Sequence, residues 1–305
     1  MASRSANARS QSAMEYLMTY GWAILVISIV LAALWQLGVF NSAAQAPRAQ
    51  PGSCRAMRNQ AVGGGVQTVL EGSCGGLLPQ FVASFGGVDS NIVINGTAGL
   101  PVGNTPFSFF TWINVPSSNG GGGIVFCYGT DWEPSGVGEM VGLGFPCTTT
   151  ACTPEFADGG GGGVTSSTAT FPTNKWNFVG WTYDGASTLD IYINGVQTPF
   201  SIAPENIVLD PNSPTTVGAE RNGPPLYGFV TSQVSNMQLY NTTLSPGEVK
   251  ALYNEGIGGA PLALPGLVGW WPLNGNTKDY SPSKNNGYPY NVVMSSTWAS
   301  TYVVH

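Results

Sequence analysis

The sequence is poor in charge and almost without histidine. Asp, Glu, Lys and Arg make up only 9% of its 305 residues, and the single histidine is the terminal His305. With no histidine inside a fold, Ser-His-Asp and Cys-His nucleophile arrangements are excluded. Ten basic residues stand against 16 acidic ones, a net charge of -6, so there is no basic face to gather phosphates and nucleic acid is not a partner. The tracts Gly120 to Gly123 and Gly159 to Gly163 lack the Lys-Ser/Thr of a phosphate-binding loop and read as surface loops. The acids are scattered: no strand candidate carries a Glu-x-Asp or Glu-x-x-x-Glu cluster, and Glu133 and Glu139 sit in a Gly/Pro-rich stretch. Glycoside hydrolysis needs two carboxylates about 5 to 10 Å apart across a sugar, so no catalytic residue is assigned and an enzyme is not expected.

Glycine (42) and proline (22) are abundant, as are Ser, Thr and Asn, which is the composition of a β-rich exterior protein with many turns. The five cysteines, Cys54, Cys74, Cys127, Cys147 and Cys152, all follow a long apolar run, where an oxidising exterior permits disulfides. A Cys54–Cys74 bridge is expected to close an irregular segment, with one more bridge among the other three. No Cys-x-x-Cys occurs, which sets a zinc site behind the disulfide reading, and no metal ligand is assigned.

The apolar run extends from Tyr16 to Phe40, with Glu15 at its front edge. At about 1.5 Å per residue a helix of this length crosses a hydrocarbon layer roughly 30 Å thick. Nothing from Met14 to Gln45 is a proline. A carboxylate at the lip of such a helix needs a partner. The leader, residues 1–10, carries Arg4 and Arg9 and no acid, and reads as a removable address. A cut after Ser10 frees the amine of Gln11, which on a neighbouring copy can neutralise Glu15. The stretch Gln11-Ser12-Ala13-Met14-Glu15-Tyr16-Leu17 and the helix after it, residues 11–40, resemble the class III signal peptide of archaeal type IV pilin-like proteins. The resemblance implies cleavage between Ser10 and Gln11 by a prepilin peptidase, and Glu15 as the fifth mature residue. It also implies an assembly platform as a partner and packing of the helix with copies or other pilins in a filament core. Ser10 departs from the Gly or Ala that usually precedes the cut. The alternative is an ordinary signal anchor that holds a surface protein in the membrane without polymerising.

Residues 41–53, broken by Pro47 and Pro51, mark a linker, and a single all-β head is expected over residues 54–305. Strand candidates are Asn91 to Asn95, Phe107 to Val115, Lys175 to Tyr183, Leu189 to Ile193, Thr215 to Ala219 and Val234 to Tyr240. Asp184-Gly185 and Asn194-Gly195 each favour the positive φ of a tight hairpin. Ser245-Pro246-Gly247-Glu248 opens a short helix through a capping box, Gly256 closes it, and Val249, Leu252 and Tyr253 should dock it on the sheet.

In this order and spacing, Ser84 to Asp89, Phe107 to Trp112, Lys175 to Gly185, Leu189 to Gly195, Val217-Gly218 and Leu239 to Glu248 resemble the concanavalin A-like, laminin-G-type jelly roll. That resemblance spans Phe81 to Gly287 and implies a mainly β fold, a sandwich of two curved sheets that commonly binds carbohydrate or protein. The segment 266–290 resembles the family's opening strand yet follows the last helix, so the order is permuted. This strand is expected to complete its own sandwich; the alternatives are pairing with a neighbouring subunit or opening a second sandwich.

Family members often hold calcium with loop carboxylates. Here Asp89, Asp131, Asp184 and Asp210 are single, and Thr231-Ser232-Gln233 stands where an acidic pair is common, so no cofactor is assigned and calcium remains only an alternative. For sugar binding the loop residues Tyr128, Asp131, Trp132 and Glu133 are the candidates, while Trp112, Trp176, Trp181, Trp270 and Trp271 lie in strands and are expected in the core. Asn95-Gly-Thr97 and Asn241-Thr-Thr243 match the N-glycosylation acceptor. The expected whole is a cell-surface, extracellular filament subunit, membrane-anchored before assembly, whose lectin-like head meets a surface glycan or protein ligand. The alternatives are an anchored binding module that does not polymerise and, further off, a secreted glycoside-active enzyme.

Overall fold

The computed structural model describes residues 5–36, 48–49, 54–60, 66–72, 78–117, 122–129, 141–158, 163–202, 209, 215–220, 225–261 and 266–302. The chain divides into two units, Met1–Gln45 and Ala46–His305.

The first unit is helix α1, Ser5–Gln36, a proline-free run. It begins before the expected start at Gln11, so Ser10, Gln11 and Glu15 all fall on continuous helix; their side chains lie outside the described residues. From Met18 to Ala33 every residue is exposed, including the consecutive Ile24, Leu25, Val26 and Ile27. Four successive residues at 100° intervals leave no polar side, so α1 is bare and apolar around its circumference. Ser28 hides its hydroxyl by donating to the Ile24 carbonyl at 2.8 Å. Among the described residues no helix is long and apolar enough to cross a membrane.

The regular structure of the second unit is mostly strand. It opens with β1 (Arg48–Ala49), β2 (Cys54–Gln60), β3 (Val66–Gly72), β4 (Leu78–Pro79), β5 (Val82–Gly86), β6 (Asn91–Ile94) and β7 (Phe107–Asn114). Next come β8 (Gly123–Tyr128), β9 (Val141–Phe145), β10 (Ala151–Cys152), β11 (Glu155–Asp158), β12 (Gly163–Ser166), β13 (Phe171–Pro172) and β14 (Trp176–Tyr183). It continues with β15 (Leu189–Ile193), β16 (Val196–Ile202), β17 (Thr215–Val217) and β18 (Thr231–Tyr240), then helix α2 (Pro246–Glu255), β19 (Leu267–Trp271), β20 (Gly287–Tyr290) and β21 (Val293–Ser295). Two antiparallel sheets form the sandwich: β12-β11-β9-β8-β17-β6-β20, and β16-β15-β14-β7-β18-β5-β21 with β19 also paired to β18.

Side chains from the two sheets meet in one core. Phe109 of one sheet stacks on Phe126 of the other at 3.9 Å, and Phe156 sets its edge on Trp181 at 5.3 Å. β7 and β14 carry large residues on both parities and are buried throughout, because their outer face is covered as well. Helix α2 does much of that covering. The Ser245 hydroxyl accepts from the Glu248 N–H, the Glu248 carboxylate accepts from the Ser245 N–H, Pro246 follows the cap and Gly256 ends the helix at φ 77°. Val249 and Leu252 are buried, and Tyr253 stacks on Trp112 at 5.7 Å.

Asn194-Gly195 is the two-residue turn between β15 and β16, with φ of 52° and 73°. Asp184-Gly185, in contrast, starts a five-residue loop, since Tyr183 pairs with Leu189. The segment expected to be irregular after the linker is a hairpin, β2 against β3, with Cys54 opposite Gly72. Cys74 lies outside the described residues. The bridge among the remaining three cysteines is Cys147–Cys152, with Cys127 buried on β8.

The C-terminal segment returns to both sheets of its own sandwich: β19 pairs with β18, β20 with β6 and β21 with β5. β18 gives one of its edges to β5 over Thr231 to Val234 and to β19 over Met237 to Tyr240. At the break Asn236 adopts φ 51°. Its Nδ2 donates to the Gly259 carbonyl at 2.7 Å, its Oδ1 accepts from the Trp270 indole at 2.8 Å, and its N–H donates to Pro272 at 3.1 Å. Asn236→Ala strips the partners from a buried carbonyl and a buried indole, and puts a β-carbon residue at positive φ without the Asn side chain's tolerance for it. The expected loss is about 2–4 kcal/mol, read as a drop in melting temperature with the transition still cooperative; an unchanged melting temperature would refute the joining role.

Candidate ligand-binding cleft

The β18 strand begins at one end of the sandwich, between β5 and β7. Register puts Gln233 opposite Ser84 on one side and Asn114 on the other, and Asn114 opposite Trp176. Paired residues project to the same face, so three hydrogen-bonding side chains from strands distant in sequence form one row. Asn114 Nδ2 donates to Gln233 Oε1 at 3.4 Å, which fixes the carboxamides against each other.

Around this row opens a cleft of about 320 Å³ lined by Ser84, Phe85, Asn114, Pro116, Asn174, Thr231, Ser232 and Gln233. Asn174 is held by its own backbone. At φ 57° it donates to the Val115 carbonyl at 2.8 Å, and its Oδ1 accepts from the Ser117 N–H at 3.1 Å. Gly87 borders the cleft at φ 77°, where an added Cβ would lie 2.1 Å from Thr231 Oγ1, so only glycine lets the β5–β6 turn close on β18. Phe85 and Ser232, opposite one another in the pairing, are each 2% exposed. The Ser232 hydroxyl is buried with no hydrogen-bond partner among the described residues. Ser232 is the strand neighbour of Gln233 and pairs with the core residue Phe85, so its hydroxyl points into the sandwich, away from the row.

The lining carries no charged side chain. Calcium takes six to eight oxygens and draws on carboxylates, so this set of amides and hydroxyls does not fit it. Among the described residues no group of three His, Cys, Asp or Glu side chains could hold a metal ion. Of the acids weighed in the sequence, Asp131 and Asp210 lie outside the described residues. Asp89 accepts from Asn291 Nδ2 at 2.7 Å. Asp184 Oδ1 gathers the N–H groups of Ala186, Ser187 and Thr188 at 2.8 to 2.9 Å, which closes a turn.

The sugar-site candidates part company. Tyr128 is 1% exposed and its hydroxyl donates to the Pro101 carbonyl at 2.7 Å, so its ring belongs to the core and has no free face. Asp131, Trp132 and Glu133 lie outside the described residues. Trp112, Trp176, Trp181, Trp270 and Trp271 are all buried, as strand positions require. Asn95 and Asn241 are both exposed. Asn241 follows the last residue of β18, about 30 Å from the cleft at some 3.3 Å per residue.

The three N–H donors, that of Thr188 foremost, hold the Asp184 carboxyl below its ordinary 3.8. A depressed acid stabilises the fold above its unfolded pKa, and that stability is lost as pH falls through the folded one. Asp184→Asn should therefore melt lower than the parent by a constant gap near neutrality, and the gap should close below pH 3.8. A gap independent of pH would show that charge plays no part.

A family profile described as the concanavalin A-like lectin/glucanases superfamily matches residues 85–250, more than half of the chain. Among solved structures, a Bacteroides ovatus protein assigned to carbohydrate binding aligns over 88% of this chain and 84% of its own, at 15% identity and a TM-score of 0.53. A heptameric pentraxin from Limulus polyphemus aligns over 71% of this chain and 95% of its own, at 13% identity and a TM-score of 0.51. At these identities the likeness is one of fold. No curated protein matches the chain.

Proposed function

The chain belongs to the concanavalin A-like lectin/glucanases superfamily, and from that premise we propose that it is a surface recognition protein whose head binds neutral carbohydrate. The observation that carries this reading is the uncharged row of Ser84, Gln233 and Asn114 along the cleft. Carboxamides and hydroxyls both donate and accept, as sugar hydroxyls do, and the half-buried Pro116 offers apolar contact to C–H faces. No metal enters the mechanism. No enzyme activity is proposed.

The helix gives the second half of the proposal. After cleavage between Ser10 and Gln11 by a prepilin peptidase, α1 packs with copies of itself or with other pilins in a type IV pilus-like filament core, and Glu15 is neutralised by a neighbour's free amine. An apolar surface on every side of α1 supports this, since such a helix is stable only among other apolar surfaces. Many weak head contacts on one filament then add by multivalency. The same helix serves the alternative, an anchored module that stays solitary.

A glycan array probed with the full-length protein tests the head. Binding to neutral glycans should survive a chelator and fall about five- to thirtyfold in Gln233→Ala and Asn114→Ala, each removing about 1–2 kcal/mol of hydrogen bonding. Chelator-sensitive binding, or none, would overturn it. For the helix, protein isolated from host surfaces should begin at Gln11 and appear in sheared filaments by electron microscopy; an intact Met1 on solitary molecules supports the anchor instead.

A further inference from the structure

We infer that Asn95 is an N-glycosylation site of the folded head, and that Asn241, in the other match to the same acceptor motif, is not. The inference needs the head to be exported, as the surface reading has it, but it does not need the cleft to bind sugar.

Asn95-Gly96-Thr97 directly follows β6, whose last residue, Ile94, pairs with Thr215 on one side and Gly287 on the other. The chain leaves the sheet along a fixed path. Gly96 is seated on Asn285, where an added Cβ would lie 3.0 Å from the Asn285 Cα. Asn285 also holds the backbone of the residue after the motif: its Oδ1 accepts from the Ala98 N–H at 3.1 Å and its Nδ2 donates to the Ala98 carbonyl at 2.9 Å. Beyond it Gly99 turns at φ 71°, and the Leu100 N–H donates to the Thr97 carbonyl at 3.2 Å. With Gly96 and Ala98 tied down, Asn95 and Thr97 are both exposed. Among the described residues neither side chain makes a hydrogen bond.

The motif Asn-x-Ser/Thr demands a hydroxyl two residues after the asparagine, so the transferring enzyme has to reach the amide and that hydroxyl together. At Asn95 both are open on a backbone that need not unfold. At Asn241 they are not. The Asn241 N–H donates to the Gly266 carbonyl at 2.9 Å, and Gly266, at φ 94°, packs so near that an added Cβ would lie 2.8 Å from Asn241 Oδ1. The Thr243 hydroxyl is spent on the Tyr183 carbonyl at 2.7 Å, and the Thr242 carbonyl accepts from the Ser108 hydroxyl at 2.8 Å. Freeing that threonine lifts the link between β18 and α2 off β7 and β14 and leaves a carbonyl without its partner.

In the reaction Asn95 Nδ2 bonds to the anomeric carbon of a sugar. The bond from that carbon to the phosphate of a lipid-carried glycan breaks, the electron pair leaves with the phosphate, and one amide proton passes to a base. The attached glycan stands clear of the cleft. β6 starts from the β5–β6 turn, where Gly87 borders the cleft, and runs four residues away from it, about 13 Å at some 3.3 Å per residue. Asn95 therefore lies at the far end of the sheet that does not carry Ser84, Gln233 and Asn114.

The test reads full-length protein recovered from host surfaces, as the parent and as variants made in the same host, by digestion and mass spectrometry with fragmentation. The parent should carry carbohydrate mass on Asn95 and none on Asn241. Asn95→Gln and Thr97→Ala should lose that mass, Thr97→Ser should keep it, and Asn241→Gln should leave it unchanged. Both altered positions of the first motif are exposed, so these variants should melt as cooperatively as the parent, and Thr97→Ser against Thr97→Ala separates loss of the acceptor from loss of the fold. Bare Asn95 on surface-recovered parent, carbohydrate on Asn241, or mass retained in Thr97→Ala overturns the inference and leaves the cleft standing. Glycosylated Asn95 on a head that binds no sugar supports the inference while the carbohydrate reading fails. A chain never found at the surface overturns the surface reading and this inference with it.

Discussion

One strand edge shared by two shorter strands is the constraint on which this head depends. β18 presents ten residues, more than β5 covers, and β19, arriving from beyond α2, takes the remainder. A break in a ladder leaves backbone groups without partners, and a buried side chain has to meet them. Asn236 does so with its N–H and its Nδ2, donated to the Pro272 and Gly259 carbonyls, while its Oδ1 accepts from the Trp270 indole. Asparagine is suited to the place because it tolerates positive φ better than most residues and can donate and accept at once.

The same chemistry recurs where the C-terminal segment touches earlier parts of the chain. Asn274 Oδ1 accepts from the N–H groups of Gln80 and Phe81, and Asn285 exchanges two hydrogen bonds with the backbone of Ala98. The Asp279 carboxylate accepts from the N–H groups of Trp270, Ser281 and Asn285 and from the Ser281 hydroxyl. With so little charge in the chain, these side chains do the work that ion pairs often share, and they need no screening by salt to be understood. Because the segment also brings β21 beside Ser84, the wall of the cleft depends on the return being made.

The two units divide the physical labour. α1 offers apolar surface without direction, which favours association but cannot choose a partner by hydrogen bonding. The head offers directional groups in fixed places on rigid strands, which is the condition for selective binding.

Local patterns determined much of this molecule. The proline-free apolar run made α1 helical, Ser245 with Glu248 set the start of α2, Asn194-Gly195 set a turn, and β-branched and aromatic runs set the strands around Phe107, Trp176 and Leu189, because each of these signals acts within a few residues of backbone. Tertiary structure decided what those signals do not reach. Asn114 and Gln233 become neighbours only through the pairing of strands more than a hundred residues apart. Tyr128 looked like a loop residue beside a glycine-rich stretch, yet β8 draws it into the core; Asp184-Gly185 looked like a tight turn, yet the register of Tyr183 with Leu189 left room for a longer loop. The choice of Cys147 with Cys152 and the return of the last strands to both sheets were settled in the same way. Strand register is chosen by the packing of whole faces, and that is a property of the assembled sandwich, not of any short stretch of chain.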